Sequence, residues 1–193
     1  EVDVEERLWA TTVLAEIAEQ RGDARAAETH FRDALALGRR NVYLLGAYAD
    51  FLLDQNHPAE ARALLRDEQR ADNLLLRLAL AERRLDDPAW QRHADILEAR
   101  FAAARERGDE THLATEARLK LDLRQQPVEA VQLAQRNWAQ RQREPQDARL
   151  LLEAALAAGQ PAAAHEVLDW LARVKLEDRR LAELSRRLRE FSS

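Results

Sequence analysis

Two stretches of this chain superimpose when one is slid by 34 residues: Gly22 falls on Asn56, Ala27 on Ala61, Phe31 on Leu65, and Leu14 and Ala15 on Tyr48 and Ala49. Each copy reads as a helix, a turn and a second helix. A fixed period of this length, with small residues where two helices must touch, is the mark of a helical-hairpin repeat. Such a chain has no single core and grows by stacking hairpins on one another. Composition agrees, since 46% apolar and 34% charged residues with only five Gly and five Pro suit long helices rather than sheets or disorder.

The helices can be placed in order. Acidic Glu1, Asp3, Glu5 and Glu6 precede the apolar periodic run of a helix from about Val4 to Gln20, and negative charge there suits a helix N-terminus. Its stripe is Leu8, Thr11, Leu14, Ala15 and Ala18, the three-and-four spacing of a buried face. Gly22 closes it and Asp23 caps the next helix, which carries Ala26, Ala27, Phe31, Ala34 and Leu35. A second hairpin runs from Asn41, breaks at Gln55 to His57, and resumes at Pro58, a good first-turn residue. A third first-helix, Asn73 to Leu85, is apolar on several sides, as a sandwiched helix is.

The pattern then loosens. The helix after Pro88 continues to about Arg107, longer than its counterparts, and a helix from Thr111 to Leu123 follows. Yet Ala130 lies 69 residues after Ala61, two periods plus one, and Ala164 lies 34 after Ala130. A last stripe of Leu181, Leu184, Leu188 and Phe191 reads as a capping helix, with Arg186, Arg187 and Arg189 at its end. The expected fold is all-α: an α-solenoid of about five helical hairpins in a right-handed superhelix, closed by a C-terminal capping helix. It forms one repeat domain over 1–193, with hairpins at 4–37, 41–68, 72–107, 111–143 and 146–175 and the cap at 177–190.

Gly22 with Ala27 and Phe31, Ala49 with Ala61, Ala130, and Gly159 with Ala164 give the chain a pattern that resembles the tetratricopeptide repeat, from Leu8 to Lys175. The third hairpin departs from it. The resemblance implies a concave groove, lined by the first helices of successive repeats, that grips a peptide or protein and catalyses nothing. It also implies that Lys and Asn would be needed on these faces to seize a C-terminal carboxylate, and Glu16 and Asp50 stand there instead. A narrower likeness rests on Ala49 to Gln55, Arg100, Phe101, Arg107 to Asp109, His112, Glu116 to Arg118, Asn137, Trp138 and Gln142 to Arg149. These residues are similar to the C-terminal half of exported proteobacterial tetratricopeptide proteins of unassigned activity. That likeness implies an exported or periplasmic parent; without it the expectation is cytoplasmic.

Opposite the packing stripes, periodicity puts Thr12 and Glu16, then Tyr43, Asp50 and Asp54, then Arg77 and Arg84, then His112 and Thr115, then Arg149 and Glu153 on the groove-facing edges. Acid lies at the N-terminal end and base further along, which suits a protein or peptide of mixed charge. His112 and Glu116, four apart, place an imidazole beside a carboxylate as a metal edge or acid/base pair requires. No second ligand pair completes such a site, so a surface ion pair is expected, with no metal and no cofactor. Trp9, Trp90, Trp138 and Trp170 read as packing between hairpins, Trp9 at the open end being the candidate ligand platform. Arg-Gly-Asp at 21–23 and 107–109 is turn chemistry, a left-handed Gly followed by a capping Asp.

Charge excludes other classes. Formal net charge is -5, and the basic pairs Arg39 with Arg40, Arg83 with Arg84, Arg141 with Arg143 and Arg186 with Arg187 have acidic neighbours and no interleaved aromatics, so nucleic acid is not an expected partner. No apolar run approaches membrane-spanning length. Cys is absent, which removes disulfides, thiolate metal sites and thiol nucleophiles. Met is absent and the chain opens on Glu1, so it reads as an excerpt of a longer parent. Three roles follow: a non-enzymatic binding scaffold, a structural spacer packed against a missing N-terminal half, or an enzyme accessory using His112 and Glu116.

Overall fold

The computed structural model describes residues 3–140 and 143–191; of the residues singled out above, Glu1, Arg141 and Gln142 lie outside these. Helices account for 79% of the structure, with no strand among the described residues. The chain is all-α. In order, the helices are α1 Val4–Gln20, α2 Ala24–Ala36, α3 Val42–Asp54, α4 Pro58–Leu65, α5 Asp72–Arg84, α6 Ala89–Glu106, α7 Leu113–Arg118, α8 Pro127–Gln140, α9 Pro145–Ala158, α10 His165–Val174 and α11 Arg179–Phe191. A π turn, Leu119–Leu123, continues α7, and a 3-10 turn, Pro161–Ala164, leads into α10. Among the described residues no helix is long and apolar enough to cross a membrane.

The local signals account for the boundaries. Asp23 accepts from the Ala26 amide at 3.0 Å and Asn41 from the Leu44 amide at 2.9 Å, each supplying an acceptor to an orphan donor at a helix start. Proline occupies the first turn of α4 and α9, where its missing N–H costs nothing. Asp178 Oδ1 accepts from the Arg180 and Leu181 amides, both at 2.9 Å, so α11 begins two residues later than 177.

The repeat persists in backbone conformation where side-chain identity hides it. Each first helix ends at a left-handed residue: Gly22, Asn56, Asp86, Gln125 and Gly159, with intervals of 34, 30, 39 and 34. After four of them the next amide reaches back five residues, Asp23 to Ala18 at 2.9 Å, His57 to Leu52 at 2.7 Å, Asp87 to Glu82 at 3.0 Å and Gln160 to Ala155 at 2.9 Å. That bond closes a Schellman-type cap. At the fifth, Gln126 reaches back six, to Lys120 at 2.8 Å, because the π turn has put one extra residue into the helix. The short interval reflects α4, cut to 8 residues, and the long one reflects α6, with 18, plus the π turn. The two anomalies sum to the 69 residues that separate Ala61 from Ala130.

The chain divides into two compact units, Glu1–His93 and Ala94–Ser193, with the division inside α6. In the first unit α1, α3 and α5 contact one another in series, α2 packs on α1 and α3, and α4 on α3 and α5. Its core joins Leu8, Ala15, Ala27, Phe31, Ala34, Leu44, Tyr48, Phe51, Leu52 and Ala61. Phe31 stacks on Tyr48 with centroids 5.0 Å apart and lies 5.4 Å from Phe51. In the second unit α7, α9 and α11 contact in series and α8 packs between α7 and α9. Its core is built from Ala117, Ala134, Trp138, Ala148, Leu151, Leu152, Ala155, Ala164, Leu181, Leu184 and Leu188. Phe191, expected on the same stripe of α11, is 61% exposed.

Candidate functional site

The residues placed by periodicity on the edges of the first helices come together in pairs. In the first unit the Tyr43 hydroxyl of α3 donates to Glu16 of α1. One crossing later the Arg77 guanidinium of α5 forks onto Asp50 of α3, at 2.8 and 2.6 Å, and gives a third bond to the Asn73 carbonyl at 2.7 Å. The fork lies over Gly46, where an added Cβ would sit 3.7 Å from the guanidinium carbon. Arg84 donates to the Leu53 carbonyl. Asp54 is half-buried near the end of α3. Thus each contact between neighbouring first helices is bridged by a polar side chain from the predicted edge, with 27 residues between the partners in both side-chain pairs.

Thr12 requires a correction. It is fully buried and its hydroxyl donates to the Leu8 carbonyl at 2.8 Å. Leu8, Thr12 and Ala15 form one inward stripe, so Thr12 lies on the packing face, not the edge.

In the second unit the edge becomes a cluster. Arg118 of α7 donates to Glu153 of α9, and Arg149 donates to the other oxygen of Glu153 at 2.8 Å. Arg118 also approaches Asp122, in the π turn, at 3.4 Å. Burial alone would raise the Glu153 carboxyl, but Arg118 and Arg149 hold it below the usual range. Burial does raise Asp122, against the pull of Arg118. Burial likewise opposes the charge on Arg118, but Glu153 and Asp122 overcome this and raise its pKa. Beside this cluster a cleft of about 560 Å³ opens between α9 and α11. Leu156, Ala157, Leu184 and Phe191 give it apolar walls, and Glu153, Arg187 and Glu190 give it charge of both signs.

Comparison with protein-family models, with curated proteins and with solved structures gives no match for this chain.

His112 and Glu116 prove to be differently employed than two residues on one helix face. His112 is the residue before α7, and Asp109 lies 3.8 Å from its Nε2. Its ring packs 5.8 Å from Phe101. Glu116 is buried and accepts from Arg105 of α6. Both line a small cavity of about 180 Å³ with Phe101, Ala104 and Leu113. On its rim Glu110 is held below the usual carboxylate range by Gln140 and Arg136. Asp109 is likewise lowered, by the Thr111 amide and hydroxyl. Thr115 is half-buried on α7. Among the described residues no three His, Cys, Asp or Glu side chains group as a metal would need.

One polar pair escaped the sequence reading. His93 Nδ1 lies 2.7 Å from Glu82 Oε2, joining α5 to α6 with both side chains buried. Arg92 supplies a donor 3.1 Å from the other ring nitrogen, Nε2, which leaves Nδ1 to donate to the carboxylate. The available signal was spacing: His93, Leu97 and Phe101 stand at four-residue intervals on the buried stripe of α6. Trp138 meets Trp170 edge-on at 5.3 Å, between hairpins as expected, whereas Arg83 lies 5.4 Å over Trp90 within the third hairpin. Trp9 is 61% exposed.

Proposed function

We propose that this chain is a non-enzymatic binding module of the tetratricopeptide type, an α-solenoid whose first-helix faces take a protein or peptide segment of mixed charge. The observation that carries this reading is the cleft between α9 and α11. Apolar walls give a bound segment area to bury, while Arg187 offers a donor edge and Glu190 an acceptor edge for its charges, Glu153 being held by Arg118 and Arg149. Serial contact among α1, α3 and α5, and among α7, α9 and α11, supports the tetratricopeptide comparison within each unit.

A second reading is favoured in the first unit. There the edge groups satisfy one another, Glu16 with Tyr43 and Asp50 with Arg77. A partner reaching for Arg77 must compete with a bidentate carboxylate already in place. In this unit the polar edge serves to fix the crossing of the first helices, the role of a structural spacer, and partner recognition is concentrated in the second unit.

Ala157 and Arg187 are exposed on the cleft and lie outside the core. Ala157→Glu with Arg187→Glu abolishes capture of the native partner from host extract while leaving the melting temperature nearly unchanged, since such surface changes cost no more than about 0.5 kcal/mol. The matched pair Ala59→Glu with Arg66→Glu, both exposed at α4, leaves capture intact. Capture lost in the α4 pair and kept in the cleft pair contradicts the proposal.

A further inference from the structure

The small cavity between the end of α6, α7 and α8 holds a carboxylate that its ion pair only half satisfies. Phe101, Ala104 and Leu113 make an apolar floor, all three buried, and the His112 ring stands beside Phe101 with the two planes 36° apart. Glu116 lies among them at 6% exposed. Its Oε1 accepts from Arg105, while Oε2 has no donor among the described residues. A carboxylate oxygen this deep in the protein is costly to leave unmatched, and here it borders an open volume of about 180 Å³.

Charge and size together say what fits that volume. Three carboxylates line it, Asp109, Glu110 and Glu116, against two guanidiniums, Arg105 and Arg136. Both arginines are engaged, Arg136 by Glu110 and Arg105 by Glu116. An anion would therefore meet three like charges and no spare cation, whereas a cation finds Oε2 waiting. Protonation of His112 would bring the two signs level and no further. An apolar cavity of about 150 Å³ holds benzene, so this one has room for a single ring and a short polar arm.

We propose that this cavity binds a small organic cation, a protonated amine carried on one aromatic ring. The ammonium donates to Glu116 Oε2, and the ring lies on Phe101, Ala104 and Leu113 beside the imidazole. The site shares no residue with the cleft between α9 and α11 and does not depend on it.

The test titrates the intact chain with phenethylamine at neutral pH and follows amide chemical shifts. Saturable shifts centred on the residues that line the cavity are expected. Phenethyl alcohol, which lacks the charge, and 3-phenylpropionate, which reverses it, bind at least about tenfold more weakly. Glu116→Gln weakens the amine at least about tenfold and leaves the alcohol unchanged. Arg105→Gln removes the competing cation and has the opposite effect, tightening the amine; the Arg105 side chain is 52% exposed, so this variant decides the matter even where Glu116→Gln does not fold. Phenylalanyl-glycinamide presents the same ammonium and ring at a polypeptide N-terminus: binding as tight as that of phenethylamine assigns the ligand to such an end, and weaker binding assigns it to a free amine. No saturable binding of phenethylamine, equal binding of amine, alcohol and carboxylate, or an amine affinity that Arg105→Gln leaves unchanged overturns the proposal.

Discussion

Removing His93 strands a buried carboxylate, and the cost of doing so can be set from the structure. The Glu82 side chain is 7% exposed and that of His93 2%, and they meet at 2.7 Å. Taking its donor away leaves a buried carboxylate without that hydrogen bond and costs about 3 kcal/mol. His93→Leu fills the volume with carbon but gives Glu82 no donor. At roughly 2–4 °C per kcal/mol for a chain of this size, the melting temperature falls by roughly 6–12 °C. Glu82→Leu leaves Nδ1 of a buried imidazole without its acceptor, a smaller cost of about 1–3 kcal/mol. The double variant has neither orphan. Replacing a buried pair by apolar side chains is often neutral or better, so it recovers most of the loss, with a coupling of at least about 2 kcal/mol. Thermal and urea unfolding followed by circular dichroism measure all four corners of the cycle. Additivity within about 0.5 kcal/mol, or a His93→Leu variant as stable as the parent, refutes the account of this pair.

At the crossing of the second hairpin, Ala61→Leu overpacks a site with no exposed surface and costs about 1–3 kcal/mol, whereas Ala59→Leu, exposed two residues earlier, costs little; equal melting temperatures contradict the register. Opposite signs are expected for two neighbouring acids as pH changes. The fold raises Asp122 and so disfavours its charge, a cost that is present at neutral pH and lifts as pH falls through the raised value. Asp122→Asn therefore raises the melting temperature at neutral pH, and the gain vanishes in acid. Glu153 is lowered, so its stabilisation is present above the ordinary glutamate value and disappears as pH falls through the lowered one. Glu153→Gln thus lowers the melting temperature at neutral pH and not in acid. A shift of the same sign for both variants at neutral pH is the contrary result.

Much of the fold was legible because caps and small residues are local signals. Asp23, Asn41 and Pro58 start helices where the sequence places them, and Gly22 and Gly159 end them. Asp86 and Gln125 end helices in the same left-handed conformation without being glycine, so residue identity hides those caps, whereas the third hairpin looked irregular because its second helix runs long. The π turn has no sequence code of its own, and the single extra residue between Ala61 and Ala130 is the net of one short and one long interval, so it gave no sign of the turn. Periodicity placed Glu16, Tyr43, Asp50 and Arg77 on helix edges but did not show their pairing, because partners 27 residues apart meet only once the helices cross. Arg77 shows the consequence. Read as a surface residue it would be free to leave at little cost; with its side chain 19% exposed and forked onto Asp50, Arg77→Ala also costs the fold. Leu184 and Phe191 were assigned to the packing stripe of the capping helix, and the cleft they line depends on how α11 lies on α9.

The most direct test of the binding module is photo-cross-linking in the native host, with a photoreactive phenylalanine analogue placed at one position at a time. Ala157 lines the cleft, while Ala59 on α4 and Gln132 on α8 are exposed on second helices. Cross-links from position 157 to one defined protein, and none to that protein from 59 or 132, are the result the account predicts. The same protein cross-linked from 59 or 132 and not from 157 contradicts it and moves the binding surface to the second helices.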